Sequence, residues 1–152
     1  IRQDGELCSC GRRGCLERYA SASALIRSTQ DMMRRTPDSL MWRFAPTVEE
    51  ADGRTAFAAA REHDAAAQHV LDDFIAALGE GIANFVNIFR PQAVVLGGGV
   101  SAEGETLLAP LRAYVYPRLY VSETYAPLDI RCAALGNDAG LYGAAQYAFE
   151  RL

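Results

Sequence analysis

Three of the chain's four cysteines, Cys8, Cys10 and Cys15, lie within eight residues of one another. Zinc held by three thiolates and one imidazole is a standard closed structural site. Gly11 and Gly14 supply the backbone freedom that a tight turn needs. Four cysteines are too few for a disulfide framework in a chain of this length, and clustered thiols more often bind a metal. The spacing therefore predicts zinc, and the alternative is three reduced, partly buried thiols in a glycine-rich turn.

The fourth ligand of such a site is not evident. His63 and His69 are the only histidines in the sequence, and both lie in an alanine-rich segment far along the chain. We expect each of them to be a solvent-facing residue and not a ligand. Cys132 stands alone in a predicted strand, where we expect a small core residue.

Glu17 follows the cysteine cluster directly and allows two interpretations. In the first turn of a helix, an acidic residue offsets the positive end of the helix dipole. A carboxylate also offers two oxygens to a vicinal diol, and a turn stiffened by metal would hold it in place. On the residues alone, the helix interpretation is preferred.

A glycine triplet, Gly97–Gly99, follows a short apolar run. Such a loop lets a nucleotide approach the backbone and offers N–H groups to anions. The segment lacks the Gly-Lys-Ser/Thr of a Walker A motif and the full G-x-G-x-x-G fingerprint. A nucleotide site and an ordinary strand-to-helix turn are equally compatible with it. We expect Ser101 to cap the next helix, and Asp138 to cap the last one instead of acting as a catalytic base.

Helical spacing dominates residues 16–90. The longest predicted helix, 65–89, carries a continuous apolar stripe and ends before Arg90-Pro91, because the residue before a proline resists helix. Gly79 and Gly81 inside it predict the close approach of another backbone. The other predicted helices are 16–34, 52–64, 105–119 and 139–152, and 36–46 is predicted to be a loop.

The helical spacing of apolar residues ends at Pro91. The runs AVVL (93–96) and LDIRCAAL (128–135) predict strands, the first of them buried, with a helix between them. This order predicts an α/β layer with parallel pairing. Two strands make a poor sheet, and the chain begins without Met, so we expect it to be part of a longer polypeptide. We treat 1–152 as a single partial domain made of a zinc turn (8–17), a helical region (18–90) and a strand–helix–strand–helix unit (93–152).

Composition excludes several classes of protein. The chain has 152 residues and a net charge of −4, which gives no general attraction to nucleic acid or to an anionic membrane. No apolar run approaches the roughly 18–20 residues needed to span a bilayer, and there is no signal-peptide pattern. We expect a cytoplasmic protein without nucleic-acid or membrane partners.

Three segments carry a family resemblance. CSCGRRGCLE (8–17) resembles the Cys-x-Cys-Gly-x2-Gly-Cys-Leu-Glu signature of the ROK family (repressors, open reading frames and kinases). VVLGGGVS (94–101) is similar to the later glycine segment of that family, and ALGNDAGLYGAA (134–145) to its C-terminal helix motif. The segments occur in the family's order and cover essentially the whole chain.

The resemblance implies part of the C-terminal lobe of an actin-like (ribonuclease H-like) sugar kinase, helix-rich with a small, mainly parallel sheet. It matches Cys8, Cys10 and Cys15 to the family's zinc-binding cysteines, whose fourth ligand is a histidine that would fall just before Ile1. It matches Glu17 to a glutamate that binds sugar hydroxyls. It matches Gly97, Gly98 and Gly99 to the segment against which the family's kinases place ATP.

The implied function is that of an ATP-dependent, glucokinase-like hexose kinase that uses Mg²⁺, contains structural zinc and forms a homodimer. The family's catalytic aspartate belongs to an upstream segment, so we expect the isolated chain to be inactive. One alternative is the sugar-sensing domain of a ROK-type transcriptional repressor; the intact glycine triplet favours the kinase. Another is a zinc-stabilised interaction module without a small-molecule site.

Overall fold

The structure, a computed structural model, describes residues 1–121 and 127–151. Its helices and strands run in the following order: α1 (Glu17–Ala20), α2 (Ala22–Arg35), α3 (Met41–Phe44), α4 (Thr55–Arg61), α5 (Ala65–Phe89), β1 (Ala93–Leu96), α6 (Glu105–Val115), β2 (Asp129–Cys132) and α7 (Ala139–Phe149). Single 3₁₀ turns occur at Val48–Glu50, Gly99–Glu103, Tyr116–Arg118 and Gly136–Asp138.

Helix α5 is the centre of the core, and helices α1, α2, α4 and α6 pack against it. Its apolar stripe is buried at Val70, Phe74 and Ile82, as the periodicity predicts. The helix begins at a cap, where Asp64 Oδ1 accepts a hydrogen bond of 2.7 Å from the Ala67 N–H. It ends at Phe89, and the next residue, Arg90, adopts a left-handed conformation with φ of 50°. The predicted range 65–89 is confirmed.

Strands β1 and β2 form a parallel pair, with Ala93 opposite Asp129 and Leu96 opposite Cys132. Helix α6 lies between them in sequence, which confirms the predicted strand–helix–strand unit. The second strand is shorter than the predicted range 128–135. The prediction that β1 is buried was wrong, because Val95 is 53% exposed. Within the described ranges no third strand pairs with this sheet to cover it.

The predicted helix 16–34 is two helices. Ser21 separates α1 from α2, with ψ of 164°, and its Oγ accepts a hydrogen bond of 3.1 Å from the Ala24 N–H. Serine competes for backbone groups in this way and favours caps over helix interiors. The predicted loop 36–46 contains the short helix α3, on which Trp42 Nε1 donates to the Thr36 carbonyl at 3.1 Å.

The two glycines of α5 face side chains and not another backbone, so that prediction was wrong. A Cβ atom at Gly79 would lie 2.4 Å from Cδ1 of Tyr114. A Cβ atom at Gly81 would lie 2.7 Å from both methyl carbons of Leu16. Each glycine therefore forms a notch in the helix surface that receives one large side chain.

The prediction that Ser101 caps the next helix was wrong: Ser101 lies inside a 3₁₀ turn, where its Oγ donates to the Gly98 carbonyl at 2.7 Å, and α6 begins after Gly104. Asp138 occupies the N-cap position of α7, as predicted, but its side chain makes no hydrogen bond to the helix. Of the predicted helix 139–152, α7 accounts for Ala139–Phe149, and residue 152 lies outside the described residues.

Much of the exposed apolar surface lies on α7 and at the end of α5. Leu141 and Phe149 of α7 are 73% and 75% exposed, and Ile88 and Phe89 of α5 are 69% and 72% exposed. Among the described residues, no helix combines the length and the apolar character that crossing a membrane requires.

Candidate functional site

Backbone hydrogen bonds within the cysteine turn hold its conformation. The Cys8 N–H donates to the Arg12 carbonyl at 2.8 Å, and the Gly11 N–H donates back to the Cys8 carbonyl at 3.0 Å. Gly11 and Gly14 have φ of 82° and 70°, in the left-handed region that favours glycine. A Cβ atom at Gly14 would lie 1.6 Å from the Arg2 carbonyl oxygen, so no other residue fits there.

The turn brings its three sulfur atoms together. The Sγ atoms of Cys8, Cys10 and Cys15 all lie within 4.8 Å of one another, and those of Cys10 and Cys15 are 3.6 Å apart. Tetrahedral zinc with Zn–S bonds of about 2.3 Å places its sulfur ligands about 3.8 Å apart. The donor set and its spacing therefore fit three corners of a zinc site. Within the part of the chain that the structure describes, no fourth ligand joins them; His63 and His69 are both exposed and lie outside the cluster.

The turn also favours a thiolate at Cys10. The backbone N–H of Arg12, and then its guanidinium, lower the pKa of the Cys10 thiol to about 6. The neighbouring Cys10 sulfur and burial raise the pKa of Cys15. The thiolate is the form of cysteine that binds a metal, so of the three cysteines the exposed Cys10 would be the one best prepared to bind it.

Glu17 is the first residue of α1, and its side chain is exposed. Polar contacts fix the residues around it: Arg18 Nε donates to Glu6 Oε2 at 2.7 Å, and Arg27 Nη2 donates to the Arg18 carbonyl at 2.8 Å. The Tyr19 hydroxyl accepts a 2.7 Å hydrogen bond from the Glu6 N–H. The structure gives the Glu17 carboxylate itself no hydrogen-bond or ion-pair partner among the described residues. Both of its oxygens are therefore available to a ligand.

The glycine triplet is open. A Cβ atom at Gly97, Gly98 or Gly99 would meet no atom within 4 Å, and Gly98 has φ of 84°. The triplet lines a groove of about 250 Å³, and Ala20, Ser21 and Ala22 line the same groove. Those residues lie at the junction of α1 and α2, three to five positions after Glu17 in the chain. The structure thus brings the glycine triplet and the end of α1, the helix that begins at Glu17, to one groove, although Glu17 is not among the residues that line it.

Sequence reasoning missed the residues that build this arrangement. Arg18, Tyr19 and Arg27 hold α1 through hydrogen bonds to the turn and to α2, and nothing in their spacing shows this. Ala20 and Ala22 line the groove because their side chains are too small to fill it. The run of small residues around Ser21 was the available signal.

The family assignment follows from a comparison with known proteins. The family model described as "ROK family" matches residues 1–151. The chain belongs to the ROK family. The structure has the helix-rich α/β fold of ROK sugar kinases with its small parallel sheet, as the motifs predict.

Two glucokinases show how much of such a protein this chain represents. The glucokinase of Thermotoga maritima is 36% identical over 153 aligned positions, which cover 100% of this chain and 48% of that protein. The crystal structure of a ROK family glucokinase from Streptomyces griseus in complex with glucose and AMPPNP superposes with a TM-score of 0.85 at 35% identity. That match covers 95% of this chain and 47% of the other. The chain spans about half the length of these relatives.

A repressor matches the chain too. A putative xylose repressor from Caldicellulosiruptor sp. is 37% identical over 139 residues, which cover 91% of this chain and 34% of the repressor. Identity alone therefore does not separate the kinase branch from the repressor branch of the ROK family.

Proposed function

We propose that this ROK-family chain is the C-terminal portion of a cytoplasmic, ATP-dependent hexose kinase of the glucokinase type. The observation that carries the proposal is the shared groove, which is lined by the glycine triplet and by the end of α1, the helix that begins at Glu17. A phosphoryl-transfer enzyme must hold its two substrates side by side. A relative of the same fold is described with glucose and AMPPNP bound together, which supports this arrangement.

Glu17 is the proposed sugar ligand. Its carboxylate is exposed and unpaired among the described residues, on a helix whose neighbouring side chains are fixed by hydrogen bonds. Hydrogen bonds to an ionised acceptor are stronger than neutral ones, so two sugar hydroxyls can be oriented by this one group.

Gly97, Gly98 and Gly99 form the proposed nucleotide wall. Because the triplet lacks side chains and is open to solvent, a nucleotide can contact its backbone directly. ATP would bind with Mg²⁺, which neutralises charge on the transferred phosphoryl group.

Cys8, Cys10 and Cys15 would hold a structural zinc ion. The sulfur spacing supports this assignment, and the remaining ligand would come from outside the described residues. Bound zinc would supply rigidity to the turn that ends two residues before Glu17.

In the proposed reaction, the sugar 6-hydroxyl attacks the γ-phosphate of ATP, loses its proton to a general base and displaces ADP. This chain would supply orientation of the sugar and a wall for the nucleotide. The base would come from the upstream part of the protein. We therefore predict that the isolated 152-residue chain does not turn over glucose and ATP.

The test is product analysis. The full-length protein, incubated with glucose and MgATP, should form ADP and a hexose phosphate in equal amounts, and the 152-residue chain under the same conditions should form neither. Absence of any hexose phosphate from the full-length protein would contradict the proposal. Steady turnover by the 152-residue chain would show that the upstream residues are not needed.

A sugar-responsive repressor is the second candidate, supported by the 37% identity to a putative xylose repressor. It predicts an upstream helix-turn-helix, sugar-dependent binding to operator DNA and no phosphorylation. The intact, open glycine triplet favours the kinase, because a repressor that only senses sugar does not need a nucleotide wall.

Self-association is also part of the proposal. Strand β1 is partly exposed, and α5 and α7 carry several exposed apolar residues. Together they expose more apolar surface than scattered single side chains would. We propose a homodimer of the full-length protein, which sedimentation equilibrium would test.

A further inference from the structure

We propose that Gly81, on the long helix α5, is a positioning residue for Glu17 and acts through Leu16. This inference rests on the proposed function, because it assigns Gly81 a role in how the sugar ligand is held. Gly81 touches neither proposed substrate, so its effect must pass through the contact that it makes with Leu16.

The contact is a side chain seated in a notch. Leu16 immediately precedes Glu17, and a Cβ atom at Gly81 would lie 2.7 Å from both of its methyl carbons and 3.3 Å from its Cγ. Gly81 is buried within α5, and Leu16 is half-buried over it. The whole branched end of the leucine therefore occupies the space that a side chain at position 81 would take.

Helix α1 is held by the hydrogen bonds of Arg18, Tyr19 and Arg27, and Leu16 adds an apolar contact with α5. Helix α1 has four residues, none of them buried, and no side chain caps its first turn. Isolated helices far longer than this are marginal in water. The polar contacts of Arg18 lie at the surface, whereas Leu16 reaches the helix around which the core is built.

Space, and not backbone conformation, explains the glycine. Gly81 is not among the residues with positive φ and lies inside a regular helix, where alanine is the more stable choice. A Cβ there would collide with both methyl carbons and approach the Cγ of Leu16, so the leucine side chain must move. In the proposal, the first turn of α1, with Glu17 on it, moves with that side chain. Displacement of a positioning group by about 1 Å can cost on the order of 100-fold in rate.

The test compares Gly81→Ala with Gly79→Ala in the full-length protein. Gly79 is the matched control because it lies on the same helix. A Cβ atom there would collide as closely with a side chain, but with that of Tyr114 on α6. We expect Gly81→Ala to lower kcat/KM for glucose by about 10- to 100-fold, mainly through KM for the sugar. Gly79→Ala should leave the sugar KM within about twofold of the wild type.

Combining Gly81→Ala with a smaller residue at position 16 distinguishes a positioning role from a general loss of stability. Leu16→Ala alone empties the notch and should also raise the sugar KM. The double variant Gly81→Ala with Leu16→Ala removes the collision, so its loss should be smaller than the product of the two single losses. A double loss equal to that product would overturn the proposal, as would equal sugar KM values for the two glycine variants.

A second readout keeps the test independent of catalysis. In Gly81→Ala, the amides of Arg18, Tyr19 and Ala20, which donate within the α1 turn, should exchange hydrogen faster than in Gly79→Ala. If the wild-type protein phosphorylates no hexose, the proposed function fails and the exchange rates alone decide this inference. Equal exchange rates at α1 in the two variants would overturn it.

Discussion

At the scale of single residues, the three cysteines of the turn differ in burial and in their expected roles in the proposed zinc site. Cys8 is only 6% exposed and packs inside the turn, whereas Cys10 is exposed and its thiol has a pKa of about 6. Replacing Cys8 would therefore disturb packing and metal binding together. Replacing Cys10 removes a sulfur ligand with little loss of packing, which makes it the cleaner probe of the proposed zinc site.

We predict that the full-length protein carries about one zinc per chain and that Cys10→Ser loses most of it, because a thiolate ligand is removed from the site. Elemental analysis after gel filtration measures this. Cys132→Ser is the control, since Cys132 lies in β2 outside the cluster, and it should retain zinc. Equal zinc in the Cys10 and Cys132 variants, or none in the wild type, would refute the site.

At the scale of elements, one buried carboxylate joins two helices. Asp64 Oδ1 accepts the Ala67 N–H at the start of α5, and Oδ2 accepts the Leu40 N–H at the start of α3, at 2.6 Å. The junction fixes where the core helix begins. The sequence contains the signal for it, an Asp directly before the periodic apolar stripe, but not the second bond, which crosses between separate segments.

Asp64→Ala should therefore destabilise the fold by about 2 kcal/mol, because a cap and a second charged hydrogen bond are lost. Urea unfolding measures the difference. Asp72→Ala, which removes an exposed carboxylate from the same helix, should change stability by less than about 0.5 kcal/mol. Equal effects in the two variants would show that the junction is not what stabilises α5.

The same carboxylate gives a pH dependence with a definite sign. Burial opposes ionisation of Asp64, but hydrogen bonds from the Ala67 and Leu40 amides outweigh it and lower the pKa. Its contribution is complete above the unfolded pKa of about 4 and is lost as pH falls through the folded value. The gap in Tm between wild type and Asp64→Ala should thus narrow on acidification below pH about 4; a gap that widens would contradict this.

Helix α6 is tied to the sheet by Arg112, which donates to the Ile130 carbonyl from Nε and Nη2 at 3.0 and 2.7 Å. Arg112→Gln should cost about 1–2 kcal/mol by urea unfolding, because a strand carbonyl loses both charged donors. Arg131→Gln is the control: its 3.4 Å pair with Asp129 is exposed and should contribute little. A larger loss in Arg131→Gln than in Arg112→Gln would contradict this account.

The sequence predicted correctly those helices and strands whose ends are marked by nearby residues. Helix α5 and strand β1 agree with the sequence to the residue, because a long apolar stripe, Pro91 and the glycine triplet mark their ends. The break at Ser21 was missed, since helical spacing continues on both sides of it. The seat of Leu16 in the Gly81 notch and the shared groove join residues far apart in the chain, and no periodicity reveals such contacts.

At the scale of the whole molecule, the chain covers about half of the glucokinases that it resembles, and its proposed ligand-binding residues lie at its surface. Glu17 and the glycine triplet are exposed, and both belong to segments that border one groove. This placement is what a lobe that meets a second lobe across its substrates would have. We therefore expect the proposed activity to need the full-length protein.

The most direct measurement is kcat/KM for glucose of Glu17→Gln in the full-length protein, compared with Glu49→Gln, an exposed glutamate of the Val48–Glu50 turn. Loss of charged hydrogen bonds to the sugar, worth about 1.5–3 kcal/mol, predicts a fall of roughly 10- to 100-fold at unchanged Tm. Glu49→Gln should behave as wild type. If the two variants have the same kcat/KM, Glu17 does not bind the sugar and the central claim is wrong.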